Sequence, residues 1–371
     1  MAPTQPPLDT LVPPYIRKIE AYVPSKPDDV LRSMYHTSSL VRMNNNENVI
    51  GPPQKSIEAI MNFTPERAAI YPNGDSYHLR HRLSEVFRHP ACSFLIGNGA
   101  NEVITFVIKT FCQKGDNIIT TDKTFAVYEW AAGFSGVEAR LVPLKDHAFD
   151  EEAMIGAIDG RTKVIFICNP NNPTGTYWSE ARLRSFLRRV DGRQIVVVDE
   201  AYAEFVDQPD YPEGMNLISE FPNLVVFRTF SKMYGLAALR IGYLAGNRNL
   251  VDIIRRTCIV YSVNTLAQEA ALGALADDGS HIRRTRELVR ASKEFLISEL
   301  DRMNLPWIAG EGNFVVIRLP VSDTLVYRRL MAKGYMVRTM TGFRFPNHIR
   351  VTLHDLPVME GFVQALRSSI A

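Results

Sequence analysis

The residues able to do chemistry follow three apolar runs. Leu224-Val225-Val226-Phe227 leads through Arg228 and Thr229 to Phe230-Ser231-Lys232, with Arg240 a short way beyond. A lysine among small and apolar residues is costly unless it is neutral or paired, because desolvation disfavours the ammonium. The same cost makes its amine nucleophilic enough to condense with an aldehyde. Ser231 and Arg240 are residue types that hold a phosphate beside such an amine. Ile195-Val196-Val197-Val198 leads to Asp199-Glu200-Ala201-Tyr202, a carboxylate and a phenol. Val164-Ile165-Phe166-Ile167 leads to Cys168-Asn169-Pro170-Asn171-Asn172-Pro173-Thr174-Gly175, which offers side-chain amides. An amine, an acid, a phenol, an amide and a phosphate-holding pair suit an aldehyde cofactor with a phosphate, pyridoxal 5′-phosphate (PLP). Taken singly, each has a plainer reading: Lys232 as a buried lysine whose charge reaches solvent along its stem, Asp199 as a helix N-cap. Three matched sets at consecutive strand ends favour the cofactor.

Elements of two kinds must position these groups. Strands are predicted at Asn117–Thr121, Glu138–Leu144, Lys163–Cys168, Gln194–Asp199, Leu224–Thr229 and Ile241–Ala245. Helices are predicted near Phe125–Gly133, Asp150–Ile158, Ser179–Val190 and Asn249–Thr257. Such alternation implies a mostly parallel sheet covered on both faces, with ligands beyond the carboxyl ends of its strands. Upstream, Phe94-Leu95-Ile96 runs into Gly97-Asn98-Gly99-Ala100-Asn101-Glu102, a strand, a glycine turn and a helix N-terminus, where free N–H groups favour an anion. After Asn264 the pattern changes to a helix at Thr265–Ala276, a long charged helix from about Ser280 to Asn304, and a smaller α+β segment. Its strands are predicted at Phe314–Leu319, Tyr335–Arg338 and Ile349–Leu353. The expected organisation is an N-terminal arm and helix over 1–45 packing with the small domain, a large cofactor-binding domain over 46–279, and a small α+β domain over 280–371.

With 371 residues, 46% hydrophobic and 22% charged, the chain has the composition of a soluble globular protein of more than one domain. A formal net charge of +2 gives no reason to expect nucleic acid or an anionic membrane. Cys92, Cys112, Cys168 and Cys258 are widely spaced and read as buried reduced thiols, which suggests a reducing compartment, and a cytoplasmic protein is expected. No run approaches the length of a membrane span, and no metal is expected. Met1–Pro7 is proline-rich and reads as disordered rather than as a secretory signal. Prolines hold the following segment, with Tyr15 and Tyr22, as an extended arm.

Taken together, Asn169-Pro170-Asn171-Asn172-Pro173-Thr174-Gly175, Asp199-Glu200-Ala201-Tyr202 and Ser231-Lys232 to Arg240, in that order, resemble the fold-type I PLP-dependent aminotransferases, and within them the histidinol-phosphate aminotransferase-like group. Tyr22-Val23-Pro24, Asn46-Glu47-Asn48, Tyr71-Pro72, the Gly97–Glu102 turn and Ile349-Arg350-Val351-Thr352 extend the resemblance over nearly the whole chain. It implies an α/β fold: a mostly parallel sheet sandwiched by helices, plus a smaller α+β domain. It implies that Lys232 bonds to the cofactor aldehyde and then moves a proton, and that Asp199 pairs with the ring nitrogen. Tyr202 and Asn172 would hold the ring oxygen, and Phe125 would stack on the ring. Gly99, Ala100, Asn101, Thr229, Ser231 and Arg240 would surround the cofactor, with Ala100, Asn101, Ser231 and Arg240 on its phosphate. Tyr71 would reach the neighbouring subunit's cofactor in a homodimer. Arg350, with Arg338, Tyr22, Asn48 and Asn172, would bind substrate. The Asn172-Pro173 bond would be cis. His36 and His354 are read as structural.

The chain departs from the family pattern at Ser25, Asn44-Asn45, Asp122-Lys123, Cys258–Asn264 and Leu353-His354-Asp355. These positions border the substrate side and leave the substrate open. Two readings therefore stand: transfer of an amino group between an amino acid, or a histidinol-phosphate-like amine, and a 2-oxo acid; or elimination and cyclisation of a hydroxylated amino acid on the same scaffold. A binding protein without catalysis is disfavoured by the intact set of Lys232, Asp199, Tyr202 and Asn172.

Overall fold

A computed structural model describes residues 8–21 and 24–370; the expectations for Met1–Pro7 and for Tyr22 lie outside the described residues. The strands in chain order are β1 (Val41–Met43), β2 (Phe94–Gly97), β3 (Asn117–Thr121), β4 (Glu138–Val142), β5 (Thr162–Cys168), β6 (Ile195–Asp199), β7 (Leu224–Thr229), β8 (Gly242–Gly246), β9 (Trp307–Ala309), β10 (Phe314–Arg318), β11 (Tyr335–Thr339) and β12 (His348–Thr352). They form a seven-stranded sheet in the order β2-β8-β7-β6-β5-β3-β4 and a five-stranded sheet in the order β1-β11-β12-β10-β9.

In the large sheet β8 runs against both its neighbours and every other pairing is parallel. β5, β6 and β7 are its central strands, nearly every residue buried, which is why they read as unbroken apolar runs rather than as alternation. Helices cover both faces, and Phe94, Phe166, Phe186 and Phe227 sit fully inside the resulting core. The register sets Cys168 beside Asp199 and Asp199 beside Phe227. The polar residues that follow β5, β6 and β7 therefore emerge side by side at one edge.

Two predicted helices begin one residue early because their first residue is the cap. Asp150 accepts the Ala153 N–H at 3.2 Å and Ser179 accepts the Arg182 N–H at 3.4 Å, ahead of helices Glu151–Gly156 and Glu180–Val190.

The small sheet has its own core, to which the long helix Ser280–Arg302 contributes Val289, Leu296 and Leu300. Met43, Tyr202, Phe205 and Met233, from earlier in the chain, join the same cluster. β1 enters this sheet parallel to β11, and the preceding helix Asp28–Tyr35 packs Leu31 against Met331 and Met336. β1 and β9, three residues each, carry too little periodicity to be predicted from sequence. Arg338 and Arg350 are direct cross-strand partners on β11 and β12.

The two sheets meet at two glycines. Gly175, at φ +72°, ends the amide-bearing loop after β5, and its carbonyl accepts the Glu311 N–H at 2.8 Å. A Cβ there would lie 2.9 Å from the Gly310 backbone. One cis peptide bond is found among the described residues, at Asn169-Pro170. The expectation of a cis bond at Asn172-Pro173 is thus corrected by three residues, within the same proline-rich loop. Gly175→Ala forces both a left-handed conformation and a backbone collision; it should lower stability by about 1–3 kcal/mol, read as a reduced denaturation midpoint.

Candidate active site

The edge where β5, β6 and β7 end faces the small sheet across a crevice of about 290 Å³, lined among others by Asn45, Phe125, Asn172, Asp199, Tyr202 and Lys232. Lys232 is half-buried there, and its Nζ donates to the Asn45 carbonyl at 2.6 Å. Burial, and next the Arg350 guanidinium, push its amine down to about 8, against the pull of Glu47. About a tenth of the amine is therefore neutral at pH 7, far more than for a free lysine.

Asp199 is buried, and burial raises its carboxyl. The Tyr128 hydroxyl, donating to Oδ2 at 2.6 Å, the Ala201 N–H, donating to Oδ1 at 3.1 Å, and the charge on Lys232 oppose that rise. Burial pushes the Tyr202 phenol up to about 12. Its oxygen accepts from Asn46 Nδ2 at 2.9 Å and from Asn172 Nδ2 at 3.4 Å. Asn172 is held that way round because its Oδ1 accepts from Arg350 Nη1, a group that can only donate. With two amides donating to it, the Tyr202 hydroxyl directs its own proton toward the crevice.

At the other end are groups able to hold an anion. Ala100 and Asn101 open the helix Ala100–Phe111, and its cap residue, Gly99, has no side chain to occupy the first-turn N–H groups. Gly99 sits at φ +77°, and a Cβ there would collide with the Arg240 guanidinium. The glycine lets the arginine lie over the turn. Thr229 Oγ1 accepts the Ser231 N–H at 3.1 Å, which fixes the hydroxyl-bearing loop ahead of Lys232. A phosphate cradle, an acid buried across from it and a depressed amine fit the donor set that PLP requires. The half-buried Phe125 lines the space between and meets Tyr128 edge-to-face at 5.6 Å.

Across the crevice Arg350 is 5% exposed, and burial pushes its guanidinium down to about 10. Nη2 donates to the Asn44 carbonyl at 2.8 Å, and Nε has no partner although buried. Arg338 lies over the Phe343 ring, 5.3 Å from its centroid. Asn48 departs from expectation. It is buried away from the crevice lining, where its amide donates to the Met233 carbonyl at 2.6 Å and braces the backbone beside Lys232. Asn45 lines the crevice instead, and Asn46, at φ +58°, turns the loop and donates its amide to Tyr202. Sequence showed the Asn46-Glu47-Asn48 motif but not that turn. Tyr71 stands outside this crevice, 81% exposed and stacked on Tyr261 at 5.2 Å. Only Cys168 of the four cysteines is fully buried, and all four are free. Missed entirely were Tyr128, Phe343 and Cys168 as neighbours of the site; Tyr128, three residues after Phe125, was legible only as helix core.

The Aminotransferase class I and II family matches residues 38–366. The chain is 36% identical over 364 residues to histidinol-phosphate aminotransferase 2 of Pseudomonas fluorescens (strain Pf0-1), covering 97% of this chain and 98% of that one. It is 37% identical over 360 residues to histidinol-phosphate aminotransferase of Symbiobacterium thermophilum, covering 96% and 97%. In fold it is similar to the crystal structure of histidinol-phosphate aminotransferase from Sinorhizobium meliloti in complex with pyridoxal-5′-phosphate, with a TM-score of 0.86 at 22% identity over 96% of each chain. The chain belongs to the class I and II aminotransferases, PLP-dependent enzymes of fold type I that transfer amino groups.

Proposed function

We propose that this aminotransferase exchanges the amino group of histidinol phosphate, or of a close anionic analogue, with a 2-oxo acid. The observation that carries this reading is the cross-strand pair Arg338 and Arg350, both lining the crevice that holds Lys232. A site that takes first an amino donor and then an oxo acid must hold an anion each time, and a guanidinium does so as a planar fork. The donor is suggested by the relatives, which are histidinol-phosphate aminotransferases.

When bound, PLP supplies an electron sink for the bond broken at the substrate's Cα. Asp199 would hold the ring nitrogen in its protonated form. Tyr202 would donate to the ring oxygen, while Asn172 steadies both Tyr202 and Arg350. Lys232 would bind the aldehyde carbon, and its freed amine would take up and return the proton at the substrate's Cα. Arg240, Ser231, Thr229 and the Gly99–Asn101 turn would hold the phosphate, and Phe125 would lie against the ring. The enzyme works as a homodimer in the cytoplasm, a reading to which its free thiols and the exposed apolar set Ile70, Tyr71, Ile259, Val260 and Tyr261 lend support. In that dimer Tyr71 reaches the second copy's crevice.

Histidinol phosphate with 2-oxoglutarate should yield glutamate and an oxo product in equal amounts, followed by mass spectrometry. Product formed without consumption of the oxo acid would sink the transfer to this donor. Formation of the covalent bond to added PLP should rise with pH around a midpoint near 8, as Lys232 deprotonates, and Lys232→Ala should leave no borohydride-fixable adduct. Arg350→Ala should move that midpoint upward, because a neighbouring positive charge is gone. It should also raise KM for the oxo acid roughly 10- to 100-fold, the loss of charge-assisted bonds of about 1.5–3 kcal/mol, with PLP affinity little changed. Tyr71→Ala should speed PLP loss while sedimentation still shows a dimer; an unchanged release rate would remove Tyr71 from the site.

A further inference from the structure

We propose that Tyr128 is a positioning residue that keeps Asp199 ionised and aimed at the cofactor's ring nitrogen. The inference rests on Asp199 as the nitrogen's partner and adds the group that makes that role tenable. Tyr128 lies in the helix Val127–Phe134 and is fully buried. Its ring is stacked on Phe166 of β5, with centroids 4.8 Å apart and planes 15° apart, so the hydroxyl has little freedom to swing. That hydroxyl donates to Asp199 Oδ2 at 2.6 Å, while the Ala201 N–H donates to Oδ1 at 3.1 Å. Each carboxylate oxygen thus has one fixed donor, which sets the plane of the group and leaves one lone pair of each oxygen free.

A carboxylate so deeply buried would otherwise take up a proton, and a protonated acid cannot hold a cationic ring nitrogen. The groups facing Asp199 from the packed elements are Tyr128, Cys168 on β5, Tyr202 after β6, and Lys232 after β7. Burial keeps the phenols and the thiol neutral, and Tyr128 therefore donates rather than competes for the charge. Lys232 is the cation among these four, but its amine is committed to the cofactor's aldehyde in the loaded protein. The Tyr128 hydroxyl and the Ala201 N–H are the donors that persist.

Tyr128→Phe keeps the ring and its stacking and removes one oxygen. PLP affinity, measured by equilibrium dialysis from pH 5.5 to 8.5 as a probe range of about three units around neutrality, should fall about 10- to 100-fold relative to the native chain. The ratio of native to variant affinity should widen as pH falls, because Asp199 in the variant takes up its proton at higher pH. Asp199→Asn should be at least as weak, and adding Tyr128→Phe to it should change nothing further. A ratio that stays constant with pH, or full additivity of the two substitutions, overturns the proposal by reducing Tyr128 to core packing. Normal affinity in Asp199→Asn overturns instead the placement of Asp199 itself. If Tyr128→Phe does not fold, 13Cζ-tyrosine labelling of the native and Asp199→Asn proteins serves the same end. One buried tyrosine resonance should move between them, and no movement rejects the hydrogen bond.

Discussion

Withdrawing an amine from water beside a second positive group is the constraint on which this molecule depends. Lys232 sits near Arg350, and burial and that guanidinium both act to drive its proton off. The arrangement is tolerable because the remaining charge has somewhere to go: the Asn45 carbonyl accepts from Nζ, and Asp199 and Glu47 lie within electrostatic reach. An amine partly neutral near pH 7 is the outcome of that balance rather than of any single neighbour. The large sheet exists, in this sense, to bring three strand ends so close that an acid, a phenol and an amine share one low-dielectric space.

The segment Asn44–Asn48 ties the two sheets to that space. Asn44 and Asn45 offer carbonyls to Arg350 and Lys232, Asn46 donates to Tyr202, and Asn48 holds the Met233 carbonyl next to Lys232. Thr352 Oγ1, two residues past Arg350, accepts the Asn46 N–H at 2.9 Å. Asn313 adds its amide to the Asn46 carbonyl at 3.2 Å. Asn44, Asn46 and Asn48 can be buried here because they meet the Arg350 guanidinium, the Tyr202 hydroxyl and the Met233 carbonyl respectively. Left without a partner around this segment are the acceptors Asn44 Oδ1, Glu47 Oε2 and Asn313 Oδ1 and the donor Arg350 Nε.

The cofactor half of the site was legible in the sequence because it hangs from β5, β6 and β7, whose unbroken apolar runs mark both the strands and the points where they stop. Asp199, Tyr202, Lys232, Ser231 and Asn172 are each named by that punctuation. The substrate half was less legible. The place of Asn48 away from the crevice was not legible, because the left-handed turn at Asn46 leaves no trace in residue order. Tyr128 passed for helix core because its hydroxyl meets Asp199 across more than seventy positions of chain. The cis bond at Asn169-Pro170 rather than Asn172-Pro173 is a choice between two prolines that composition cannot make. The mostly parallel sheet, which rests on alternation over many residues, was legible; features that rest on one dihedral angle were not.

The parallel seating of β1 against β11 has a mechanical consequence. Because β1 leads directly into Asn44, the loop that touches Lys232 is fastened to the same five-stranded unit that carries Arg338 and Arg350. A rocking motion of that unit would carry all three as one jaw. The gap to the amine would widen or narrow, while the distances among the two guanidinium groups and the loop stayed constant, so the mouth could gape without losing the shape of its bite.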